Sequence, residues 1–310
     1  MTATRLPATD SFRGIWPALS TPLEHDLRIN HRKFANHALG LLEAGCAGIT
    51  PFGTTGEGPS FSVAERIEAV DQLIAAGVPA ERMIVSALCS AVPDALALTR
   101  HALERGAHGV MMLPPFFFKA VGDQAVVDAY SQLITAVGSD DWRLYLYHIP
   151  QVASVSLSHA AISELLARHG KVIRGIKDSG CDQAFSVSLA RAFMPRITVY
   201  VGNEPDLRVM GRLGSTGAIS GLANLAPRGV HQLVMAPDAP ETDATEGPTL
   251  ALLRILQRYS LLSAFKAALA VRDRDPTWLR VRPTLEAVSG AALRDIEAAM
   301  QAAGVLRNDL

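Results

Sequence analysis

The chain has 310 residues, of which 49% are hydrophobic and 19% are charged, and this composition excludes disordered and fibrous proteins. Its 29 basic and 30 acidic residues nearly balance, which excludes the cationic surface that binds nucleic acid or anionic lipid. We therefore expect an ordinary globular protein whose partner is a small molecule, with neither nucleic acid nor membrane as a partner.

The cysteines and the amino-terminal residues indicate the cellular compartment in which the protein is expected. Cys46, Cys89 and Cys181 are odd in number and lack CxxC spacing, which argues against a disulfide framework and against a structural zinc site. Residues 1–14 contain no apolar segment of the kind found in signal peptides, and no later stretch approaches 18 uncharged apolar residues. These features predict a cytoplasmic protein without a membrane span.

Short runs rich in β-branched residues alternate with helical patterns, which is typical of repeated βα units around a parallel sheet. Ser62 stands three residues before Glu65, which is the spacing of a capping box at a helix start. The chain has neither a GxGxxG after its first strand nor a GxxxxGK[ST], which weakens the nucleotide-binding alternatives. We predict a (β/α)8 TIM barrel. Its eight predicted strands are Gly14–Leu19, Gly48–Phe52, Met83–Leu88, Gly109–Leu113, Arg143–Ile149, Val172–Ile176, Ile197–Val201 and Gly217–Ser220.

The strand pattern stops after Asn224. The stretch Ala236–Thr249 is rich in proline, aspartate and threonine and predicts a loop, and the rest of the chain has a helical pattern that ends in a helix over Ala291–Ala303. We therefore predict two parts. Residues 1–235 form the barrel that carries the active site, and residues 236–310 form a C-terminal helical extension.

Polar residues at the ends of the predicted strands are the candidate site residues, because TIM barrels carry their chemistry at the C-terminal ends of the strands. Five strand ends carry such residues. They are Gly53-Thr54-Thr55-Gly56-Glu57, Tyr147-His148, Lys177-Asp178, Asn203-Glu204 and Ile219-Ser220.

Lys177 is one of only five lysines in the chain and follows an apolar strand. An amine at such a position is partly desolvated, and desolvation favours the neutral form that attacks a ketone to give a Schiff base. The alternative is a strand-end lysine that pairs with Asp178 or extends into solvent. Position alone favours that structural role.

Neighbouring strand ends supply groups that suit imine chemistry. Tyr147 is placed to relay protons, although most tyrosines serve only in packing. Thr54 and Thr55 offer hydroxyls and backbone N–H groups that suit a carboxylate, although their loop is also an ordinary turn between strand and helix. His148 points to the opposite face by strand alternation, so we expect it to be structural. The nine histidines lack HExxH spacing, so we predict a site without metal.

Several motifs together resemble the signatures of the dihydrodipicolinate synthase and N-acetylneuraminate lyase family, which are pyruvate-type class I aldolases. They occur in family-like order and cover residues 14 to 224. The motifs are Trp16-Pro17-Ala18 with Thr21-Pro22, Gly53-Thr54-Thr55-Gly56-Glu57-Gly58 with Glu65 downstream, Tyr147-x-x-Pro150, and Gly175-x-Lys177-Asp178-Ser179.

The resemblance implies that Lys177 forms the Schiff base, that Tyr147 relays the proton, and that Thr54 and Thr55 bind the keto-acid carboxylate. We count Thr55 among the catalytic residues. The resemblance also implies a barrel with C-terminal helices, a homodimer or homotetramer, and no cofactor besides the covalent imine. The predicted substrate-binding residues are Gly53, Thr54, Thr55, Asn203, Glu204, Ile219 and Ser220.

Two positions depart from the lysine-biosynthetic synthases of this family. In those synthases an arginine follows the Tyr-x-x-Pro motif by two residues and is implied to bind the carboxylate of the aldehyde, whereas this chain has Val152, which forms no such contact. The synthases also carry paired tyrosines before the fourth helix, one of which reaches into the neighbouring subunit. This chain has Phe116, Phe117 and Phe118 there, which suit either an apolar pocket for an aromatic aldehyde or plain core.

Asn203 and Glu204 lie where the sialic-acid lyases bind sugar hydroxyls, although Glu204 is also placed to cap the helix that follows. We predict a Schiff-base lyase that cleaves or dehydrates a 2-keto acid, such as a 2-keto-3-deoxy sugar acid, and that releases or consumes pyruvate together with an aldehyde. The alternatives are 4-hydroxy-tetrahydrodipicolinate synthase and a 2-keto-acid-binding barrel without turnover. An imine-forming amine has no use in a pure binding site, which argues against the last of these.

Overall fold

The computed structural model describes residues 12–194 and 196–302. Within these ranges the chain forms seven strands and twelve α-helices. The strands are β1 Gly14–Pro17, β2 Ile84–Ala87, β3 Gly109–Met112, β4 Leu144–His148, β5 Ile173–Asp178, β6 Thr198–Val201 and β7 Gly217–Ser220. The helices are α1 His31–Glu43, α2 Val63–Ala75, α3 Val92–Glu104, α4 Asp123–Val137, α5 Pro150–Ala153, α6 His159–His169, α7 Gln183–Phe193, α8 Leu207–Arg212, α9 Pro227–Met235, α10 Thr242–Leu256, α11 Leu261–Asp273 and α12 Gly290–Ala302.

The seven strands form one parallel sheet in the order β1-β7-β6-β5-β4-β3-β2. The segment between α1 and α2 bonds to both edges of this sheet, because Thr50 bridges Ala18 beyond β1 and Ile49 bridges Met83 before β2. A sheet whose two edges share one segment must curl. The protein therefore has an α/β fold of the TIM-barrel type, with its helices packed around a parallel sheet.

The predicted second strand, Gly48–Phe52, contributes these two bridges but no regular strand, so the prediction of eight strands is wrong at this position. Pro51 has no N–H to donate to a ladder, and Phe52 adopts a left-handed φ of 59° that turns the chain out of the sheet. Gly48 is required for close packing, since a Cβ atom there would lie 2.1 Å from Cζ3 of Trp16.

The other seven predicted strands are confirmed, and none of their ends differs from the prediction by more than two residues. The difference that matters is at β5, which was predicted to end at Ile176 and instead continues to Asp178. The reason is that Lys177 stays in register with Tyr147 on one side and with Tyr200 on the other. Lys177 therefore lies inside a strand and not after it, so the sheet itself fixes its backbone.

Large side chains fill the interior of the sheet and form one cluster, separate from the core between sheet and helices. Glycines make room for them: a Cβ atom on Gly109 or Gly175 would lie 2.8 Å from the ring of Tyr145. Because side chains fill the interior, a substrate has room only at the ends of the strands, and TIM barrels use the C-terminal ends. The main members of this interior cluster are Trp16, Ala18, Ile84, Leu88, Met111, Leu113, Tyr145, Tyr147, Ile149, Tyr200 and Ile219.

The predicted loop Ala236–Thr249 is wrong in its second half, because α10 already begins at Thr242. The sequence there is poor in strong helix formers and includes Pro248, yet Thr242 and Thr249 are buried and the Thr242 hydroxyl donates to the carbonyl oxygen of Ala236 at 2.6 Å. Tertiary packing against α9 thus overrides weak local propensity.

The capping box at the start of α2 is confirmed, with Ser62 accepting from the Glu65 N–H and Glu65 accepting from the Ser62 N–H. The last predicted helix is confirmed as far as Ala302, and Ala303 lies outside the described residues. None of the described helices is both long and apolar enough to cross a membrane. The division of the chain at residue 235 stays a prediction.

Candidate active site

Lys177 and Tyr147 lie side by side at the C-terminal end of the sheet. They are register partners on β5 and β4, and Nζ of Lys177 lies over the Tyr147 ring, 4.3 Å from its centroid. Both side chains are buried, with relative exposures of 4% for Lys177 and 1% for Tyr147. The two residues that sequence analysis placed in one cavity are therefore in contact.

The structural alternatives for Lys177 do not hold. The lysines that form ion pairs within residues 12–194 and 196–302 are Lys33, Lys171 and Lys266, and Lys177 is not among them. Asp178 points to the other face of β5, where it accepts hydrogen bonds from the Ser186 hydroxyl at 2.5 Å and the Gly180 N–H at 2.9 Å. Lys177 thus presents a buried amine without a carboxylate partner in the described part of the chain.

The three tyrosines of the interior cluster differ in where their hydroxyls point. Tyr145 Oη hydrogen-bonds to His108 at 2.7 Å, and Tyr200 Oη donates to the carbonyl oxygen of Phe12 at 2.8 Å, so both face the N-terminal end of the sheet. Burial raises the pKa of each of these phenols. Tyr147 Oη instead hydrogen-bonds to Oγ1 of Thr54 at 3.2 Å, which links Lys177 to the threonine loop.

The threonine loop, Gly53–Gly58, folds tightly against the end of β1. The Glu57 N–H donates to the Thr54 carbonyl at 3.0 Å, and the Thr21 hydroxyl donates to the Gly56 carbonyl at 2.7 Å. Close approach requires glycine at two positions, since a Cβ atom on Gly56 would lie 2.5 Å from the Leu19 oxygen and one on Gly58 would lie 1.9 Å from the Phe52 oxygen. The sequence therefore holds Thr54 in one geometry beside Tyr147.

The remaining predicted residues of this loop and of β7 line the same end of the sheet. Thr55 Oγ1 lies 2.8 Å from the position a Cβ atom would take on Gly221, just beyond β7. Ile219 is fully buried in the interior cluster. A Cβ atom on Gly53 would lie 3.6 Å from Oγ of the buried Ser86, so Gly53 is next to this hydroxyl. The Ser86 hydroxyl has no hydrogen-bond partner among the described residues.

Glu204 and Ser220 bond to each other, whereas Asn203 bonds to other nearby residues. Glu204 Oε1 accepts from the Ser220 hydroxyl at 2.8 Å and from the Leu222 N–H at 3.2 Å, which ties the end of β6 to the end of β7. Asn203 Nδ2 donates to Asp206 at 2.7 Å. The side chain of Glu204 does not cap the following helix α8, so that alternative from sequence is wrong.

Apolar side chains surround the mouth of the site beyond β3 and β4. Phe116 packs against the interior cluster, whereas Phe117 and Phe118 are 72% and 76% exposed, and Val152 is 57% exposed. Lys119 Nζ connects the loop after β3 to helix α5 by donating to the carbonyl oxygens of Phe116 and Ala153. Phe117 and Phe118 are therefore not plain core.

His148 has the structural role that strand alternation predicts. Its Nδ1 accepts a hydrogen bond from the Leu157 N–H at 3.1 Å, its ring stacks on Phe185, and burial lowers its pKa. Within the described ranges no group of three or more His, Cys, Asp or Glu side chains is arranged to hold a metal ion.

Two residues that shape the site were not among the predicted site residues. Lys266 on α11 forms a buried ion pair with Glu57 of the threonine loop. The available signal was a single lysine inside an apolar helical run, Ala264-Phe265-Lys266-Ala267-Ala268. Gly202, after β6, is the second, because it leaves the space that the Lys177 side chain occupies.

We expect Gly202→Ala to slow imine formation by about 10²-fold, which is the typical cost of misplacing a reacting group by about 1 Å. The added methyl would lie 1.9 Å from Ser179 Oγ and 2.8 Å from Lys177 Cε, so the lysine stem must shift. Rapid-quench borohydride trapping with pyruvate measures the rate. Gly40→Ala is the control, since a Cβ atom there meets nothing within 4 Å. A wild-type trapping rate in Gly202→Ala would contradict this account.

Comparisons with known proteins agree with this geometry. A family model described as the dihydrodipicolinate synthetase family matches residues 11–303. The crystal structure of dihydrodipicolinate synthase from Agrobacterium tumefaciens superimposes with a TM-score of 0.88 at 30% identity and covers 93% of this chain and 98% of that chain.

Two relatives matched by sequence are lyases or aldolases by name. A DapA-like lyase of Chloroflexus aurantiacus is 34% identical over 220 residues, covering 70% of this chain and 72% of the relative. The 2-dehydro-3-deoxy-D-gluconate/2-dehydro-3-deoxy-phosphogluconate aldolase of Thermoproteus tenax is 29% identical over 214 residues, covering 68% and 66% respectively. Because the family model spans nearly the whole chain and the fold agrees with it, this protein belongs to the dihydrodipicolinate synthetase family.

Proposed function

We propose that the protein is a Schiff-base lyase of the class I aldolase type that acts on a 2-keto acid and releases or consumes pyruvate. The observation that carries this proposal is the buried amine of Lys177, which has no carboxylate partner among the described residues and lies on the ring of Tyr147, whose hydroxyl bonds to Thr54. Membership of a family of lyases and aldolases supports the same reaction class.

In the proposed first half-reaction, the neutral Lys177 amine adds to the ketone carbon of the substrate. The hydroxyl group of the resulting carbinolamine leaves as water with a proton donated by Tyr147, which gives the protonated imine and the Tyr147 phenolate. Thr54 and Thr55, with the N–H groups of their loop, hold the substrate carboxylate while the ketone carbon reacts. The hydrogen bond between the Thr54 and Tyr147 hydroxyls supports the orientation of Tyr147 that this step needs.

In the proposed second half-reaction, the protonated imine accepts the electron pair of the breaking C3–C4 bond and becomes an enamine. The Tyr147 phenolate takes the proton from the C4 hydroxyl, so that an aldehyde leaves. Protonation of the enamine at C3 and hydrolysis of the imine then release pyruvate and restore the Lys177 amine. Every proton transfer in this scheme uses a group that the protein or water supplies, so we propose that no metal takes part.

A 2-keto-3-deoxy sugar acid is the substrate class that we propose first. The Thermoproteus tenax relative is named as an aldolase for substrates of this class. Asn203, Glu204 and Ser220 are the groups that we propose to bind the sugar hydroxyls. The described hydrogen bonds of Glu204 use only Oε1, which leaves Oε2 as an acceptor for a hydroxyl.

A substrate with an aromatic or other apolar aldehyde portion is the second candidate. The large hydrophobic side chains that are exposed within the described residues are Phe117, Phe118, Val121 and Val152, and all of them follow β3 or β4. Lys119, which follows Phe118 in the chain, donates its amine to backbone oxygens. An apolar mouth of this kind favours an apolar leaving aldehyde over a charged one.

The lysine-pathway synthase stays the runner-up. Without an arginine at position 152, a carboxylated aldehyde loses a charge-assisted contact whose removal typically costs about 2–5 kcal/mol, or roughly 30-fold to several thousand-fold in specificity. Val152 is exposed and has no charge to supply. We therefore propose that condensation with aspartate semialdehyde is poor.

A substrate panel tests the proposed function. We expect pyruvate release from a 2-keto-3-deoxy sugar acid to exceed release from sialic acid and from 4-hydroxy-2-oxoglutarate, and to continue in EDTA. An arylidene pyruvate tests the apolar candidate in the same assay. A kcat/KM for the synthase reaction above those of all cleavage reactions would contradict the proposal. Tight binding of 2-keto acids without turnover of any panel member would support the non-enzyme alternative.

We also propose that the protein acts as a homodimer or homotetramer in the cytoplasm, in which residues 236–310 form a helical extension of the barrel. Family membership supports the assembly, and the exposed Phe117 and Phe118 offer an apolar surface for it. Sedimentation at micromolar protein measures the subunit number.

A further inference from the structure

The side of the threonine loop that faces away from Lys177 is held by a buried glutamate. Glu57 adopts a left-handed φ of 56°, and its N–H donates to the Thr54 carbonyl at 3.0 Å, which closes the turn that contains both threonines. A non-glycine residue in this conformation is uncommon and persists only where its surroundings hold it. The carboxylate of Glu57 is therefore placed to fix the turn.

The partners of Glu57 come from the far end of the chain. Lys266 Nζ on α11 donates to Oε1, and the N–H of Arg282 donates to Oε2 at 2.8 Å. Both side chains of the ion pair are 1% exposed, and Lys266 Nζ also donates to the carbonyl oxygen of Arg280 at 2.6 Å. Each carboxylate oxygen thus has a donor, and the amine contacts both the loop and the segment beyond α11.

A second set of contacts fastens the chain just beyond this turn. The guanidinium of Arg282 donates to the Ser60 carbonyl at 2.9 Å and to the Leu27 carbonyl at 2.9 Å, and it pairs with Glu65. This pairing lowers the pKa of Glu65 to about 2. The segment from Arg280 to Arg282 therefore contacts the chain on both sides of Gly58, at Glu57 and at Ser60.

Energetics argue that the Glu57–Lys266 pair does more than stabilise the fold. Removing two charges from water costs several kcal/mol per ion, and apolar residues of similar volume often replace a buried pair with no loss of stability. Burial accordingly lowers the pKa of Lys266. Apolar residues cannot form the directed hydrogen bonds to Oε1 and Oε2 of Glu57, and these bonds set the orientation of the turn.

We propose that Glu57 and Lys266 form a positioning pair that holds the Thr54–Thr55 turn in the geometry that receives the keto-acid carboxylate. This inference rests on the proposed function, because it assigns the turn to the substrate. Neither residue touches the reacting atoms, so both act through the threonines. The C-terminal helix α11 thereby becomes part of the machinery for substrate affinity.

The test compares Lys266→Met, Glu57→Gln and the double variant with wild type. Borohydride trapping over a range of pyruvate concentrations gives the half-saturating concentration and the maximal trapping rate, and thermal unfolding gives Tm. We expect each single variant to raise half-saturating pyruvate by about tenfold or more while the maximal rate changes little. The double variant removes the unpaired charge, so we expect its Tm to recover while half-saturating pyruvate stays raised.

The control is a second ion pair that joins α1 to the C-terminal part of the chain, Lys33 with Asp275 at 2.7 Å, and the described hydrogen bonds of the Lys33 amine go to Asp275 and Thr277 and not to the threonine loop. Lys33→Met with Asp275→Asn is expected to lower Tm and leave half-saturating pyruvate unchanged. Recovery of pyruvate affinity together with Tm in the Glu57/Lys266 double variant would show a merely structural pair and overturn the inference. Glu57→Gln keeps size and shape, so it serves if Lys266→Met fails to fold. Wild-type protein that traps no pyruvate would overturn the proposed function itself.

Discussion

Pyruvate with borohydride is expected to label Lys177 permanently, and Lys177→Met is expected to lower turnover by about 10⁴-fold or more, which is typical of losing a covalent nucleophile. The amine is buried beside Tyr147 without a carboxylate partner among the described residues, so it is free to attack a ketone. Reduction converts the imine to a stable secondary amine. Peptide mass spectrometry locates the label.

Two other lysines provide internal controls for the labelling. Lys171 is exposed and pairs with Asp140, and Lys266 is buried against Glu57, so neither should carry the label. Lys171→Met should leave the rate unchanged. A label on either of these residues, or a protein that stays unlabelled at saturating pyruvate, would rule out the imine mechanism.

Tyr147→Phe is expected to lower kcat by about 10²–10⁴-fold, the usual contribution of a positioned proton donor. The change removes the hydroxyl that bonds to Thr54 and keeps the ring that lies under Lys177 Nζ, so the packing of the interior cluster is preserved. Steady-state kinetics gives the rate, and thermal unfolding confirms that the variant is folded.

Tyr145→Phe is the matched control, because this tyrosine occupies the same face of β4 two residues earlier and its hydroxyl bonds to His108 at the opposite end of the sheet. We expect it to cost about 1 kcal/mol of stability and to leave kcat near the wild-type value. Equal losses of rate in the two variants would mean that the interior hydroxyls act through packing. Tyr147 would then line the site without donating a proton.

The central pair of the site could be predicted from the sequence because parallel topology is simple. Strands that follow each other along the chain lie next to each other in a barrel, so polar residues at their ends must meet. Tyr147 and Lys177 are each the second-last residue of consecutive strands, and the observed register pairs them directly. Thr54 follows from the same reasoning, although the segment before its loop joins the sheet through the isolated bridges of Ile49 and Thr50 and not through a regular strand.

Residues that depend on contacts between distant parts of the chain could not be predicted in this way. Lys266 and Glu57 are 209 positions apart, and nothing in the pattern of α11 indicates which carboxylate its lysine meets. The start of α10 is a related case, since Thr242 is helical because of packing against α9 and not because of its own preference. The hydrogen bonds of Glu204 with Ser220 and Leu222 could not be predicted either, because they depend on how closely the chain segments at the ends of β6 and β7 approach each other.

The contact between Arg282 and Glu57 spans 225 positions of the chain and has a consequence for the order of synthesis. The threonine loop leaves the ribosome early, whereas the residues that anchor it are made near the end. Contacts of such long separation form late, because a large loop must close before they return any free energy. A nascent chain therefore carries Lys177 and the glycine-rich turn for some time before the turn is fixed, and the finished site arises only when the last helices dock.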